Sequence, residues 1–162
     1  IPKVLDYAIG GWQLSGTVFF GSGRPFTVYS GLNTFSNAVQ STANCNSCPR
    51  DLGQLIQENG TNYWFSAEQR ALFSQPAPGE LGNTPRNYFI GPRRFDMNMS
   101  LSKKFKFTER YSFDLRVDAT NLPNVPSFGL PTATANSSVF GRIRDNVVSF
   151  SRRIQFSGKF NF

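Results

Sequence analysis

The chain contains no histidine, and that absence removes a large share of chemistry. Ser-His-Asp and Cys-His catalysis both need an imidazole, as do histidine metal sites. Only two cysteines are present, Cys45 and Cys48, so a zinc ion would lack two of its ligands. No glycine-rich loop ends in Gly-Lys-Ser/Thr, and Gly21-Ser22-Gly23 reads instead as a kink before Arg24-Pro25. Asp114 and Asp118 would lie roughly 13 Å apart along a strand. Paired glycosidase carboxylates stand roughly 5 to 9.5 Å apart, so charge balance with Arg116 is the expected role. No catalytic residue, metal or cofactor is therefore expected, and the chain is expected not to be an enzyme. A run of about 18 apolar residues is also missing, which excludes a membrane helix.

What the chain does have is alternation. From Arg152 to Phe162, the residues Ile154, Phe156, Gly158, Phe160 and Phe162 interleave with Arg153, Gln155, Ser157, Lys159 and Asn161. Successive strand side chains point to opposite sides, so this segment has one apolar wall and one polar wall. Three further segments repeat the pattern. Phe95, Met97, Met99, Leu101, Lys103 and Phe105 alternate with Asp96, Asn98, Ser100, Ser102 and Lys104; Tyr111, Phe113, Leu115, Val117 and Ala119 alternate with Ser112, Asp114, Arg116, Asp118 and Thr120. Trp12, Leu14, Gly16, Val18 and Phe20 alternate with Gln13, Ser15, Thr17 and Phe19, where only Phe19 breaks the rule.

Such strands belong either to a soluble sandwich, whose apolar walls face a second sheet, or to an outer-membrane barrel, whose apolar walls face lipid. Roughly 9 to 11 tilted residues cross a bilayer as a barrel strand, which is the length of each segment. Asp114, Arg116 and Asp118 in one row, and Arg153 and Lys159 in another, are costly in a dry core and tolerable on a lumen wall. The aromatic residues Trp12, Phe105, Phe107, Tyr111, Phe113, Phe160 and Phe162 collect near one end of the strands, as an interfacial girdle would. A mean hydropathy of -0.33 fits this class, because half of every barrel strand is polar. The formal net charge of +7 admits an anionic partner, either nucleic acid or a phosphorylated bacterial surface. Scattered basic residues and the lack of any nucleic-acid module signature argue against the former.

The fold class expected is thus all-β: antiparallel amphipathic strands of the outer-membrane barrel type at about 11–29, 93–105, 110–121 and 150–162. Extracellular-type loops at 30–92 and 122–149 join them, with one or two short helices. The short connection after Phe105 is of the periplasmic kind, and it predicts Phe105 nearly opposite Tyr111 and Met99 close to Val117. Helices are predicted at 51–58 and 66–73, the second with Ser66 and Gln69 as a capping box. Cys45-Asn46-Ser47-Cys48 is expected to form a small disulfide in an exposed loop, which implies an oxidising compartment. Asn59-Gly60-Thr61 and Asn136-Ser137-Ser138 match the glycosylation sequon, a short match of little weight. The chain opens on Ile1-Pro2-Lys3, without methionine or signal peptide, and is expected to be mature, processed or a fragment. Four strands cannot close a barrel, since the smallest use about eight.

Gly11-Trp12-Gln13-Leu14-Ser15-Gly16-Thr17, followed by Gly21-Ser22-Gly23-Arg24-Pro25-Phe26-Thr27-Val28, resembles the late barrel of TonB-dependent outer-membrane receptors, especially the Oar-like branch with a carboxypeptidase-regulatory-like front domain. Further along, Pro78-Gly79-Glu80-Leu81-Gly82-Asn83 with Arg86-Asn87, and Gly91-Pro92 with Asp96, continue the likeness. Leu101-Ser102-Lys103-Lys104-Phe105, Asp118-Ala119-Thr120-Asn121-Leu122-Pro123-Asn124, Phe140-Gly141-Arg142-Ile143 and Arg152-Arg153-Ile154-Gln155-Phe156 complete it in order. The family's plug, TonB box and front domain are absent, so no gating or energy-coupling residue carries over, and the insert from Cys45 to Asn62 has no family motif. The resemblance implies about the last four strands of a barrel of roughly 22, in a protein that takes up scarce nutrients with energy delivered through TonB.

On that basis Trp12, Leu14, Phe105, Tyr111, Phe113, Leu115, Val117, Phe156, Phe160 and Phe162 are expected to face lipid or a partner. Asp114, Arg116, Asp118, Arg153 and Lys159 are expected to face the lumen. Expected partners are the rest of the barrel or identical copies joined through strand edges, outer-membrane lipid and an unknown nutrient, with no nucleic acid. The expected location is the bacterial outer membrane or the extracellular space. Two alternatives stand beside the receptor: a released fragment that self-assembles through strand edges into a tube or filament, and a secreted disulfide-stapled adhesin or glycan-binding sandwich.

Overall fold

Four long strands carry most of the backbone pairing. The computed structural model describes residues 9–143 and 150–162; the reading of Ile1, Pro2 and Lys3 and the last part of the 122–149 connection lie outside them. In chain order the elements are β1 (Trp12–Gly21), β2 (Pro25–Phe26), β3 (Asn44–Cys45), β4 (Ile56–Glu58), β5 (Thr61–Tyr63), α1 (Ala67–Ala71), β6 (Phe73–Ser74), β7 (Phe89–Ile90), β8 (Arg94–Lys106), β9 (Ser112–Thr120) and β10 (Arg153–Asn161). The chain divides into two compact units, one of Ile1–Phe20, Phe95–Pro126 and Ser149–Phe162, the other of Gly21–Arg94 and Ser127–Val148.

The first unit is a four-stranded sheet in the order β1-β8-β9-β10. Antiparallel pairing sets Phe105 opposite Phe113 and Met99 opposite Ala119, and then Phe113 opposite Phe160 and Val117 opposite Phe156. The expected partners of Phe105 and Met99, Tyr111 and Val117, are therefore wrong by two residues. The cause is the turn, where the Phe107 N–H donates to the Tyr111 carbonyl at 3.0 Å. That contact leaves only Thr108, Glu109 and Arg110 at the tip. Thr108 Oγ1 tightens it by accepting the N–H groups of Arg110 at 3.3 Å and Tyr111 at 3.0 Å. A slip of two residues preserves the faces, because the side-chain period is also two. It does change the charge pairing, since Lys104 now stands opposite Asp114.

At the other end of this sheet, three strand ends are tied by a buried polar knot. Asn121, 1% exposed and at φ 49°, donates from Nδ2 to the carbonyls of Val125 and Phe150 and accepts the Val125 N–H on Oδ1. Its own N–H donates to Asn98 Oδ1 at 3.0 Å, and Asn124 Oδ1 accepts the Arg152 N–H at 3.0 Å. Asparagine tolerates the left-handed backbone better than other branched or bulky residues, which accounts for Asn-Leu-Pro-Asn at this corner.

The second unit gives the long connections a core of their own. Its described residues pack around Phe26, Val28, Ala43, Phe65, Phe89 and Phe140, with Phe73 packed against them. The strand expected at 11–29 breaks at Gly21 because a side chain at Gly23 would collide with the Gly91 carbonyl, and Pro25 cannot continue the ladder. Residues 51–58, expected as a helix, form no helix. Gly53 lies beneath the Trp64 indole, and Ile56–Glu58 pairs with Thr61–Tyr63 across an Asn59-Gly60 turn with both residues at positive φ. The helix expected at 66–73 is the shorter α1, closed by the Ser66–Gln69 capping box.

Cys45 and Cys48 are joined by a disulfide within this second unit, Cys45 buried in β3. Mild reduction is expected to open that bond and leave the four-stranded sheet of the other unit intact. The measurement is the far-ultraviolet strand signal before and after a low concentration of thiol, and loss of that signal would count against the assignment.

Candidate functional site

The candidate site is the pair of faces on the four-stranded sheet. The register puts odd positions of β8 and β9 together with even positions of β1 and β10. At one level this face carries a row of aromatic rings across all four strands. Trp12 meets Phe105 edge-on at 6.5 Å, Phe105 stacks with Phe113 at 6.4 Å, Tyr111 with Phe160 at 6.2 Å, and Phe160 with Phe162 at 6.4 Å. Further along lie Leu14, Leu115, Val117 and Phe156. Among the described residues much of this face is exposed, with Leu14 67%, Phe156 73% and Phe162 88% accessible, while the central strands' Phe105, Phe113, Leu115 and Val117 are half-buried. Exposure on this scale over a contiguous apolar surface marks a binding or membrane surface.

Two glycines on this face are covered by neighbours rather than left as gaps. Met99 occupies the space a side chain at Gly16 would need, and the Phe113 ring lies over Gly158, where a Cβ would meet it at 3.0 Å. The one cation among them, Lys103, is 5% exposed and sits with its ammonium 5.2 Å from the Trp12 ring and 5.0 Å from the Phe105 ring. Aromatic faces attract a cation while the lysine stem packs as an apolar chain, so the row of rings accommodates the charge.

The opposite face is ionic. Arg116 Nε reaches both carboxylate oxygens of Asp118, at 3.0 and 2.9 Å. Asp114 accepts Asn161 Nδ2 at 2.9 Å and has Lys104 at 3.9 Å, while Lys159 stands opposite Asp114 and Arg153 opposite Thr120. All five residues expected on the polar wall, Asp114, Arg116, Asp118, Arg153 and Lys159, thus share one face, and the ten expected on the apolar wall share the other. Asp114 and Asp118 bind different partners and make no acid–base pair. Sequence reasoning missed Lys104 and Asn161 as the partners of Asp114, because the two-residue register error put Lys104 elsewhere. It also missed Asn121, although asparagine on either side of Leu-Pro was a legible corner signal.

A sheet of amphipathic antiparallel strands, apolar and aromatic-belted on one face and ionic on the other, is of the outer-membrane barrel class. The family described as outer membrane beta barrel domain matches residues 2–155, and the chain belongs to it. That membership places the protein in the bacterial outer membrane. No curated protein and no solved structure matches the chain.

Proposed function

We propose that this chain is wall and outward-facing connections of a TonB-dependent outer-membrane receptor for nutrient uptake, non-enzymatic, with the apolar face toward lipid and the ionic face toward the lumen. The observation that carries the proposal is the aromatic row from Trp12 to Phe162 on a face largely exposed among the described residues and backed by Asp114, Arg116, Asp118, Arg153 and Lys159. Barrel walls need this polarity, since lipid solvates one side and water the other. Both long connections leave the sheet at the end opposite the 107–111 turn, in keeping with long outer and short periplasmic connections. The nutrient-uptake part rests on the receptor-like motifs in order along the chain.

The test has two arms. A fluorophore at position 156 should be quenched by a lipid-soluble quencher and one at 155 by an aqueous one; the reverse pattern would overturn the facing. Uptake of labelled iron chelates, oligosaccharides and peptides, compared in cells with and without the protein and with and without TonB, tests the activity. A nutrient whose entry needs both proteins supports the receptor, and entry of all of them without this protein rejects it.

A second reading is favoured by the two outer strands. Among the described residues β1 and β10 each pair on one side only, and unpaired edges recruit further strands. Taken alone, the 162-residue chain would then join copies edge to edge. Light scattering in detergent-free buffer decides it, with a monodisperse monomer as the defeating result.

A further inference from the structure

A cavity of about 320 Å³ opens in the second unit, among the end of β5, the helix α1 and the 135–140 segment. That is the lower end of the roughly 300–1,000 Å³ of small-ligand sites. Tyr63, Arg70, Ser137 and Ser138 supply its polar lining, and Ala71, Ala135 and Phe140 its apolar one. None of these residues belongs to the four-stranded sheet.

Arg70 is the one charged side chain of the lining, and its charge is already matched. One terminal nitrogen donates to Glu58 Oε2 at 2.8 Å and the other to the Phe65 carbonyl at 2.7 Å, while the guanidinium carbon stands 4.2 Å from the centre of the Tyr63 ring. These contacts hold the group in place before any ligand arrives, which lowers the entropy cost of binding. A guanidinium has five N–H donors, so those not directed at Glu58 and Phe65 stay available. The hydroxyls add to them. Ser137 Oγ accepts the Val139 N–H at 3.3 Å and keeps its own proton to donate, and the Tyr63 and Ser138 hydroxyls bond to no described residue.

Such a lining discriminates among ligands. An anion gains little from a cation neutralised at 2.8 Å by Glu58, a cation finds no carboxylate among the lining residues, and a hydrocarbon would leave the hydroxyls unpaired at a cost. A sugar ring fits. Its hydroxyls donate and accept as those of Tyr63, Ser137 and Ser138 do, and two adjacent ones can accept from a single guanidinium. Its C–H face can rest on Ala71, Ala135 and Phe140. We propose that this cavity binds one residue of a neutral oligosaccharide through Tyr63, Arg70, Ser137 and Ser138. Naming carbohydrate as the nutrient class rests on the receptor proposal; the binding itself does not require uptake.

Calorimetric titration of gluco-, xylo-, manno- and galacto-oligosaccharides into the folded protein, in a detergent without a sugar headgroup, is the test, with polysaccharide released from lipopolysaccharide titrated in parallel. Saturable binding of a free oligosaccharide supports the site and assigns a soluble nutrient; binding of the released polysaccharide alone supports it and assigns a cell-surface glycan. The paired Y63F and S138A substitutions should weaken binding at least about tenfold, the scale of two lost neutral hydrogen bonds, with an unchanged limited-digestion pattern. S138A alone, at an exposed position, should weaken it about threefold. Affinity should hold as sodium chloride rises, because no net charge is neutralised. An affinity untouched by these substitutions, displacement of the sugar by inorganic phosphate, or no saturable heat from a protein that resists digestion between Gly21 and Arg94 overturns the site. Sugar binding without TonB-dependent uptake removes the receptor and keeps the site, whereas TonB-dependent entry of an iron chelate or peptide with no sugar bound removes the site and keeps the receptor.

Discussion

Replacing Val117 by arginine is expected to destabilise the folded protein in a bilayer by about 2–4 kcal/mol, the cost of a cation at the midplane of a barrel's lipid face. Val117 lies in the middle of β9, opposite Leu101 on one side and Phe156 on the other, with the like charge of Lys103 diagonally across on the same face, so the guanidinium meets apolar side chains and a second cation rather than a counter-charge. The matched control is Ser157→Arg, which stands opposite Arg116 on the ionic face. Water there should hold its effect within about 0.5 kcal/mol, as for most surface substitutions. Equilibrium urea unfolding in lipid vesicles gives both numbers. Equal effects at the two positions would remove the lipid assignment of the apolar face.

The second large effect belongs to the other unit. Phe65→Ala is expected to cost about 3–5 kcal/mol, the range for emptying a buried aromatic site. Phe65 is fully buried, and its ring lies 5.4 to 6.1 Å from those of Phe26, Phe73, Phe89 and Phe140. Among the described residues only Phe89, which meets Phe26, Phe65, Phe73 and Tyr88, makes as many ring contacts. Limited proteolysis should show new cleavage between Gly21 and Arg94 while the four-stranded sheet keeps its strand signal. An unchanged digestion pattern would mean that the phenylalanine cluster does not hold the unit together.

The long strands were legible because their alternation is local: Ile154, Phe156, Phe160 and Phe162 announce their face whatever they pair with. Pairing was less legible. The offset between β8 and β9 depends on whether Thr108 closes the turn with its side chain, a choice between two geometries that leave every residue on the same face. Opposite charges could have settled it, since only the observed offset puts Lys104 across from Asp114. The second unit was read as loops because its strands are two or three residues long, too short for periodicity to register. Its core draws on Phe26, Phe65, Phe89 and Phe140, far apart in sequence. The Asn59-Gly60 turn is a local hairpin signal there, although the same residues also match the sequon. Ser66 and Gln69 succeeded because a capping box is read from neighbouring residues alone.

The order β1-β8-β9-β10 also sets a schedule for assembly. β8 and β9 are joined by the short 107–111 turn, β9 and β10 by the longer 121–152 segment, and β1 and β8 by the longest, 22–93. Closing a loop costs about 0.6 kcal/mol more for each doubling of its length, so the β8–β9 hairpin is the natural nucleus. Strand β10 can add next, guided by the Asn121 and Asn124 contacts to Phe150 and Arg152. Strand β1, made before β8, has to wait for that partner until the chain has returned through the whole intervening segment. During that wait the residues most in need of shielding from stray partners are Leu14, Val18 and Phe20.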